Sequence, residues 1–366
     1  MSNALALYVH IPFCRRKCSY CDFYSLAHAE ELHVPYAAAL KAEIAAQAGL
    51  WGKDHRVETV YFGGGTPNLL PTAALDSLMD LISARFPFSE DPEISIEINP
   101  EFSHDRGSLA ELRGIGFNRL SIGVQSLNDR ELKLLGRLHT AETALSCLRH
   151  ARELFDNMSA DIIYAVPEQT PASLLRTLGG ILESRPEHLS AYSLTVEAGT
   201  PLDLSVKNGQ LQLSGDDADR DHFLFVRDHL LGAGYEQYEI SNYARPPFRS
   251  RHNSAYWSGQ DYLGVGPSAH SKLGDVRYDY PADIHAFLDP ASRRFRELET
   301  VSDADTLITA LRTSEGLARK RVSPETWHNI LEYTRLHPEW FIAARDTIRC
   351  STEGWLFLDS ILVDLI

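Results

Sequence analysis

The sequence has few cysteines, a deficit of positive charge and no long apolar run. Its 366 residues include five cysteines, and 35 lysines and arginines against 50 aspartates and glutamates give a net charge of −15. That balance argues against nucleic-acid binding, which requires a basic surface. No apolar run approaches the roughly 18 residues of a membrane-spanning helix, and the N-terminus lacks the basic start and cleavage site of a secretion signal. We therefore expect a cytoplasmic protein.

The odd number of cysteines argues against a disulfide framework. Three of them, Cys14, Cys18 and Cys21, fall within eight residues, whereas Cys147 and Cys350 stand alone. The two isolated cysteines are predicted to be small buried apolar residues. Only the cluster of three cysteines therefore indicates a functional site.

The first 200 residues alternate between strand-like and helical runs, which predicts an α/β fold with a parallel sheet. The predicted strands are Leu5–Ile11, Thr59–Phe62, Glu93–Ile98, Arg119–Ile122, Ser159–Tyr164 and His188–Leu194. Helical periodicity lies between them. A doubly wound sheet and a partial barrel both fit, and the working model is an open, partial (β/α)6 barrel over residues 1–200.

The pattern changes after the sixth unit, which predicts two further domains. Turn signals, an aromatic stretch and a Gly-rich stretch indicate an α+β extension over 201–300. Residues 301–366 indicate a small helical, winged-helix-like domain. Its final apolar run, Trp355–Ile366, is predicted to form a terminal hairpin.

The cysteine cluster follows the first predicted strand, at the end of a barrel where active-site groups collect. Three thiolates with this spacing can each hold one iron of a cubane cluster, so the fourth iron is open to an external ligand. The intervening Arg15-Arg16-Lys17 is expected to lower the thiol pKa values. A zinc site, with His10 or His28 as fourth ligand, and a structural thiol patch stay open as alternatives.

A Gly-rich loop, Tyr61–Pro67 (YFGGGTP), follows the second predicted strand. Its glycines let the backbone approach a ligand closely and present N–H groups to an anionic or zwitterionic one. The loop lacks the ending of a P-loop and the spacing of a dinucleotide fingerprint. Its place beside the cysteines is therefore its main significance.

Polar residues occur near the ends of further strands, namely Glu97, Asn99, Gln125, Arg137 and Asp161. Each alone is equally well explained as a loop residue or helix cap, although Asp161 in an apolar strand needs partners if buried. Together, a carboxylate, an amide and a guanidinium around one rim could bind the ribose, amino and carboxylate groups of a nucleoside amino acid.

The order of longer strings gives a resemblance that covers essentially the whole chain. C-x3-C-x2-C, GGGTP, SIEINPE, RLSIGVQSLND, DIIYAVPEQT, HNSAYW and YLGVGPSAHS resemble the radical S-adenosylmethionine (radical SAM) enzymes, and within them the family of oxygen-independent coproporphyrinogen III oxidase and its relatives. The resemblance implies the radical SAM partial barrel, a [4Fe–4S] cluster and S-adenosylmethionine as cofactors.

The resemblance also implies roles for individual residues. Cys14, Cys18 and Cys21 would ligate the cluster, with S-adenosylmethionine on the open iron and a radical formed by its one-electron cleavage. The implied S-adenosylmethionine and cluster-pocket contacts are Tyr8, Tyr20, Gly64, Gly65, Thr66, Glu97, Gln125, Arg137 and Asp161.

Two departures point to the heme-chaperone branch of this family. Phe23 occupies the position where the oxidases have a fourth cysteine, and the segment before the first strand is short. The branch also has an HNxxYW motif, present here in His252, Asn253, Tyr256 and Trp257. An imidazole can bind heme iron and aromatic rings can pack on a porphyrin, so these four are the predicted heme contacts; the alternative is a surface loop.

The leading hypothesis is thus a heme chaperone that delivers heme to respiratory proteins. The alternatives are radical oxidative decarboxylation of coproporphyrinogen III and a non-catalytic zinc-binding scaffold. The resemblance also implies a reduced flavodoxin or ferredoxin as electron donor. Peripheral membrane contact and the oligomeric state are left open.

Overall fold

A computed structural model describes residues 3–102 and 105–366 of the chain. Its first half contributes six parallel strands to one large sheet: β1 (Asn3–Ile11), β2 (His55–Gly64), β3 (Phe88–Ile98), β4 (Arg119–Gln125), β5 (Met158–Tyr164) and β6 (His188–Ser193). The helices between them are α1 (His33–Trp51), α2 (Thr72–Arg85), α3 (Arg106–Ile115), α4 (Asp129–Leu134), α5 (Ala141–Leu154) and α6 (Pro171–Glu183).

The order of these strands in the sheet distinguishes the two arrangements that the sequence left open. β1 to β6 are neighbours in the same order as in the chain. A doubly wound sheet reverses its strand order at a switch point, whereas a barrel does not. The α/β partial-barrel prediction is therefore confirmed.

Alternation along each strand separates the hydrophobic core from the barrel interior. In β1, Leu5, Leu7 and Val9 are fully buried in the core. Tyr8 lies on the opposite face, with its ring centroid 6.2 Å from that of Tyr61 in β2. The polar and aromatic side chains of this face thus point into the barrel.

Residues 201–300 extend the same sheet at both edges. Beside β6 lie two short antiparallel strands, β7 (Glu236–Gln237) and β8 (Asn242–Ala244). On the other edge β9 (Asp261–Val265) pairs parallel with β1, followed by β10 (His270–Leu273), β11 (Val276–Asp279) and β12 (Arg296–Thr300). The helices here are α7 (Pro201–Lys207), α8 (Asp216–Gly232), α9 (Arg251–Ser258) and α10 (Ile284–Leu288). The boundary at residue 200 stays a prediction.

The C-terminal residues combine four helices with a small antiparallel sheet. The helices are α11 (Asp303–Leu311), α12 (Pro324–Leu336), α13 (Thr352–Leu356) and α14 (Leu358–Leu365). The sheet contains β13 (Leu317–Ala318), β14 (Phe341–Ala343) and β15 (Thr347–Cys350) in the order β13-β15-β14.

The terminal hairpin prediction is wrong, because most of the final apolar run is helical. Leu358 and Ile361 are buried while Val363 is 80% exposed, which is the periodicity of one apolar helix face rather than of a strand. In the described ranges of the chain, no helix has the length and apolar character that crossing a membrane requires.

Candidate functional site

The carboxyl ends of the barrel strands surround a cavity of about 480 Å³. Most of the residues singled out from the sequence line it together: Cys14, Cys18, Cys21, Tyr20, Gly64, Gly65, Thr66, Glu97, Asn99, Gln125, Arg137, Asp161 and Asn253. Tyr8, His252, Tyr256 and Trp257 are not among its lining residues. One cavity therefore joins the cysteine loop, the Gly-rich loop and the polar strand ends.

The three cysteines of the cluster are free thiols, each partly exposed. Cys14 ends a two-residue strand, Phe13–Cys14, that pairs with Leu26–Ala27. The Thr66 hydroxyl donates to Cys14 Sγ over 3.8 Å, and Arg137 Nη1 donates to Cys18 Sγ over 3.5 Å. These donors would stabilise negative charge on the two sulfurs.

The basic residues of the loop do not lower the pKa of Cys14 or Cys21 overall, although Lys17 acts on Cys21 in the expected direction. Burial raises the pKa of Cys14, and it raises the pKa of Cys21 to about 11. The exposed lysine and arginine side chains are screened by solvent and do not offset that burial. A metal that binds here must therefore displace the thiol protons.

The Gly-rich loop lies directly against the end of β1. Gly65 N donates to Ile11 O over 2.8 Å and Thr66 N to Phe13 O over 2.7 Å. A Cβ on Gly65 would lie 2.5 Å from Phe13 O, so only glycine fits there. Gly64 N donates to the Glu97 carboxylate over 3.0 Å. The expectation that these N–H groups face a ligand is thus wrong: they bond within the protein.

The carboxyl groups of Glu97 and Asp161 both line the inside of the barrel, and the negative charge of Asp161 adds to the effect of burial in raising the pKa of Glu97. Glu97 accepts a hydrogen bond from the Tyr61 hydroxyl over 2.9 Å, yet burial raises its pKa to about 7. Asp161 accepts from Ser121 over 2.8 Å and from Ser159 over 3.1 Å. Burial raises the pKa of Asp161 as well, and these serine hydroxyls partly offset the effect. The need for partners that the sequence predicted for Asp161 is therefore met by hydroxyl groups.

Arg137 connects the cysteine loop with the barrel strands. Besides Cys18, its guanidinium donates to Asn99 Oδ1 and, over 3.0 Å, to Gly123 O. The side chain is thereby held from three sides. Gln125, which ends β4 beside it, has a left-handed backbone (φ +62°) that directs the chain out of the strand.

The cavity wall also contains residues that the sequence analysis did not single out, among them Arg119, Ser121, Ser190 and Tyr192. Arg119 is 2% exposed and begins β4. The sequence could have predicted this position, because alternate residues of a strand share one face and Arg119 alternates with Ser121, Gly123 and Gln125.

The HNxxYW segment forms helix α9 rather than a surface loop. His252 is 1% exposed, and its Nδ1 and Nε2 atoms lie 2.8 Å from Thr59 Oγ1 and Tyr256 Oη, respectively. Its ring stacks on Tyr61 at 4.9 Å. Burial, with a smaller contribution from Arg119, lowers the pKa of His252 to about 3, so the imidazole is neutral.

These contacts set a condition on the predicted heme ligand. Iron ligation by His252 would require one of the two ring nitrogens to lose its hydrogen bond and become accessible. Trp257 is packed under Arg312, with the guanidinium carbon 4.2 Å from the ring centroid. The heme contacts of the four motif residues stay a prediction.

Comparison with known proteins identifies the family. Residues 8–179 match the model of the radical SAM superfamily. A Bos taurus protein named radical S-adenosyl methionine domain-containing protein 1, mitochondrial, is 33% identical over 100% of this chain and 88% of its own. Heme chaperone HemW of Escherichia coli is 37% identical over 74% of this chain and 70% of its own, and that of Bacillus subtilis is 32% identical over 86% and 85%.

The chain belongs to the HemW-like family of radical SAM proteins.

The solved structure of coproporphyrinogen III oxidase HemN from Escherichia coli is also similar to this radical SAM chain. It superimposes with a TM-score of 0.84 at 26% identity, covering 100% of this chain and 90% of that one. This chain and 90% of the oxidase thus share one architecture, so the fold alone does not separate the two activities.

Membership of the radical SAM family implies a [4Fe–4S] cluster and S-adenosylmethionine, and the residues present fit both groups. The thiols of Cys14, Cys18 and Cys21 face the same cavity. Three thiolates can each bind a different iron of one cluster only if they share such a cavity. Within 3–102 and 105–366, no three His, Cys, Asp or Glu side chains are grouped to hold a single metal ion. Positively charged, negatively charged and neutral hydrogen-bonding side chains all line the same cavity, which suits a zwitterionic nucleoside.

Proposed function

We propose that this protein is a heme chaperone that carries a [4Fe–4S] cluster and S-adenosylmethionine, binds heme and delivers it to respiratory proteins. The observation that carries the proposal is the similarity to proteins named heme chaperone HemW over 74% and 86% of this chain, together with Phe23 where the oxidases have a fourth cysteine. Phe23 lines the cavity and is 65% exposed.

In the proposed site Cys14, Cys18 and Cys21 would hold the cluster. Tyr20 and the Gly64-Gly65-Thr66 loop would contact the bound cofactors, and Glu97, Gln125, Arg137 and Asp161 would orient S-adenosylmethionine; Tyr8 stays a predicted pocket residue. When bound, the cluster supplies one-electron chemistry to S-adenosylmethionine.

The residues of the chain have definable tasks around that chemistry. Arg137 places a fixed positive charge beside Cys18, and Thr66 hydrogen-bonds Cys14. Burial raises the pKa of Glu97 to about 7 and also raises the pKa of Asp161. Such an arrangement orients a polar ligand.

The second candidate function is decarboxylation of coproporphyrinogen III propionates. The observation in its favour is the TM-score of 0.84 with the Escherichia coli oxidase over the whole chain. The missing fourth cysteine argues against it. The zinc-binding scaffold is the third outcome that the experiment has to separate.

One reconstituted sample tests all three functions. The full chain is loaded with iron and sulfide under anaerobic conditions, titrated with hemin, and separately incubated with coproporphyrinogen III, S-adenosylmethionine and a reductant. Hemin binding without porphyrinogen turnover supports the proposal. Turnover supports the oxidase, no hemin binding contradicts the chaperone, and zinc instead of iron in the purified protein supports the scaffold.

The remaining features of the proposal are the reduced flavodoxin or ferredoxin as electron donor, the cytoplasmic location and peripheral membrane contact. A relative is named mitochondrial, so the compartment is best tested by fractionation of the source cells. Transfer of heme to a respiratory protein tests the recipient directly.

A further inference from the structure

Arg119 is the largest side chain that the protein buries almost completely. It begins β4 on the inward-facing row and lies opposite Ser95 in the register with β3. Ser121, which hydrogen-bonds Asp161, is two residues further along the strand. Arg119 is therefore one inward position, about 7 Å, deeper in the barrel than Ser121.

The guanidinium of Arg119 has no direct partner within the described ranges 3–102 and 105–366. Its side chain makes no hydrogen bond and no ion pair there, and its Nε is buried without a partner. Glu97 and Asp161 sense its charge only at a distance. A buried cation without a partner is unfavourable, and such a group in a native structure calls for a ligand or a functional explanation.

Arg119 is part of the cavity wall, so the positive charge of its guanidinium is available to a ligand in the cavity. Asn253 and Tyr192 line the same cavity and offer polar groups for a bound ligand. Arginine binds carboxylates and phosphates through two N–H groups. The nearby Glu97 and Asp161 disfavour a dianion such as phosphate, whereas a single carboxylate adds less negative charge.

We propose that Arg119 binds the carboxylate of a ligand that enters the barrel more deeply than the cysteine loop. A propionate group of heme and the carboxylate of another small acid share this chemistry. If the source is heme, the inference rests on the proposed function; if it is another acid, it stands apart from it.

The site is tested with sodium propionate as the probe and propionamide as its neutral match. Ligand-observed NMR on the full, iron–sulfur-loaded chain measures both affinities for wild type, R119K, R119Q and the control R176Q. Arg176 is exposed on α6, so R176Q makes the same change of charge away from the cavity. Circular dichroism and urea unfolding check that each variant folds.

We expect wild type and R176Q to bind propionate at least tenfold more tightly than propionamide. R119Q should lose this preference and R119K should retain part of it. Equal affinity of wild type for propionate and propionamide overturns the proposal without reference to any variant. Undiminished propionate binding by folded R119Q overturns it as well.

Hemin and hemin dimethyl ester then identify the source of the carboxylate. A tenfold loss of hemin affinity in R119Q, with unchanged affinity for the ester, assigns the site to a heme propionate. Unchanged hemin affinity together with lost propionate binding supports the site and assigns it to another acid. Absence of hemin binding by wild type contradicts the chaperone function but leaves the propionate result valid.

Discussion

The imidazole of His252 and the hydroxyl of Thr59 are 2.8 Å apart, so a buried hydrogen bond ties helix α9 to strand β2. The other ring nitrogen is bonded to Tyr256. We expect His252→Ala to lower the free energy of unfolding by about 2–4 kcal/mol, since it removes both bonds and leaves a cavity. Urea unfolding measures the loss.

The same variant separates a structural His252 from a heme ligand. The heme contact predicted for His252 requires that folded His252→Ala bind heme more weakly and with a shifted absorption spectrum, whereas a purely structural imidazole would leave both unchanged. Thr59→Val is the matched control, as it removes one of the two bonds and should cost about 1–3 kcal/mol. A shifted heme spectrum in His252→Ala but not in Thr59→Val would identify the imidazole as the ligand.

Gly65 is predicted to tolerate no side chain. An added Cβ would lie 2.5 Å from Phe13 O and 2.9 Å from Ile11 O. These are backbone atoms of the segment that leads into Cys14, so they cannot withdraw without moving the cluster loop. We expect Gly65→Ala to cost about 1–3 kcal/mol and to reduce iron uptake, as measured by urea unfolding and iron analysis.

Gly114→Ala is the control for that substitution. Gly114 lies in helix α3 and has no atom within 4 Å of an added Cβ. Alanine there should raise stability by about 0.4–1 kcal/mol. Equal behaviour of the two variants would contradict the close contact between the Gly-rich loop and β1.

The three clustered cysteines are predicted to account for the iron content. Replacing Cys14, Cys18 and Cys21 together with serine should abolish iron binding after reconstitution, because serine is a poor cluster ligand. Cys350→Ala is the control, since Cys350 is buried in the C-terminal sheet. Iron and sulfide analysis measures both. Full iron content in the triple variant would contradict the cluster assignment.

Local patterns were sufficient to predict the barrel and the residues at its strand ends. The six strands were found because their apolar runs and intervening helices reflect short-range periodicity. The C-terminal run was assigned wrongly because a short apolar stretch with two aspartates fits either periodicity, and its buried helix face is decided by packing.

The interior of the site was less predictable for a physical reason. Arg119 and His252 belong to segments distant in the sequence, and their environment depends on strand register and on how α9 packs. Likewise, the glycines of the Gly-rich loop indicate that its backbone lies close to another group, but they do not identify that group. That partner, the carbonyl of Phe13, is known only from the fold.

Glu97 is predicted to make stability depend on pH. Burial raises its pKa to about 7, so between about pH 4.5 and pH 7 the folded state holds a proton that the unfolded state has released. This carboxyl therefore contributes less to stability as the pH rises through that window, and nothing further changes above it. Glu97→Gln cannot ionise and lacks the effect.

Urea unfolding at pH 5, 6, 7 and 8 compares wild type with Glu97→Gln. The stability of wild type relative to the variant should fall by about 1–2 kcal/mol from pH 5 to pH 7, a size reduced because Glu97 lines a solvent-accessible cavity. Glu183→Gln, at the exposed end of α6, controls for the exchange itself. The opposite result is that the free energies of unfolding of wild type and Glu97→Gln differ by a constant amount at all pH values, or that wild type gains stability relative to the variant as the pH rises. Either result would mean that Glu97 is ionised throughout. Its hydrogen bonds from Tyr61 and Gly64 would then outweigh the effect of burial on its pKa.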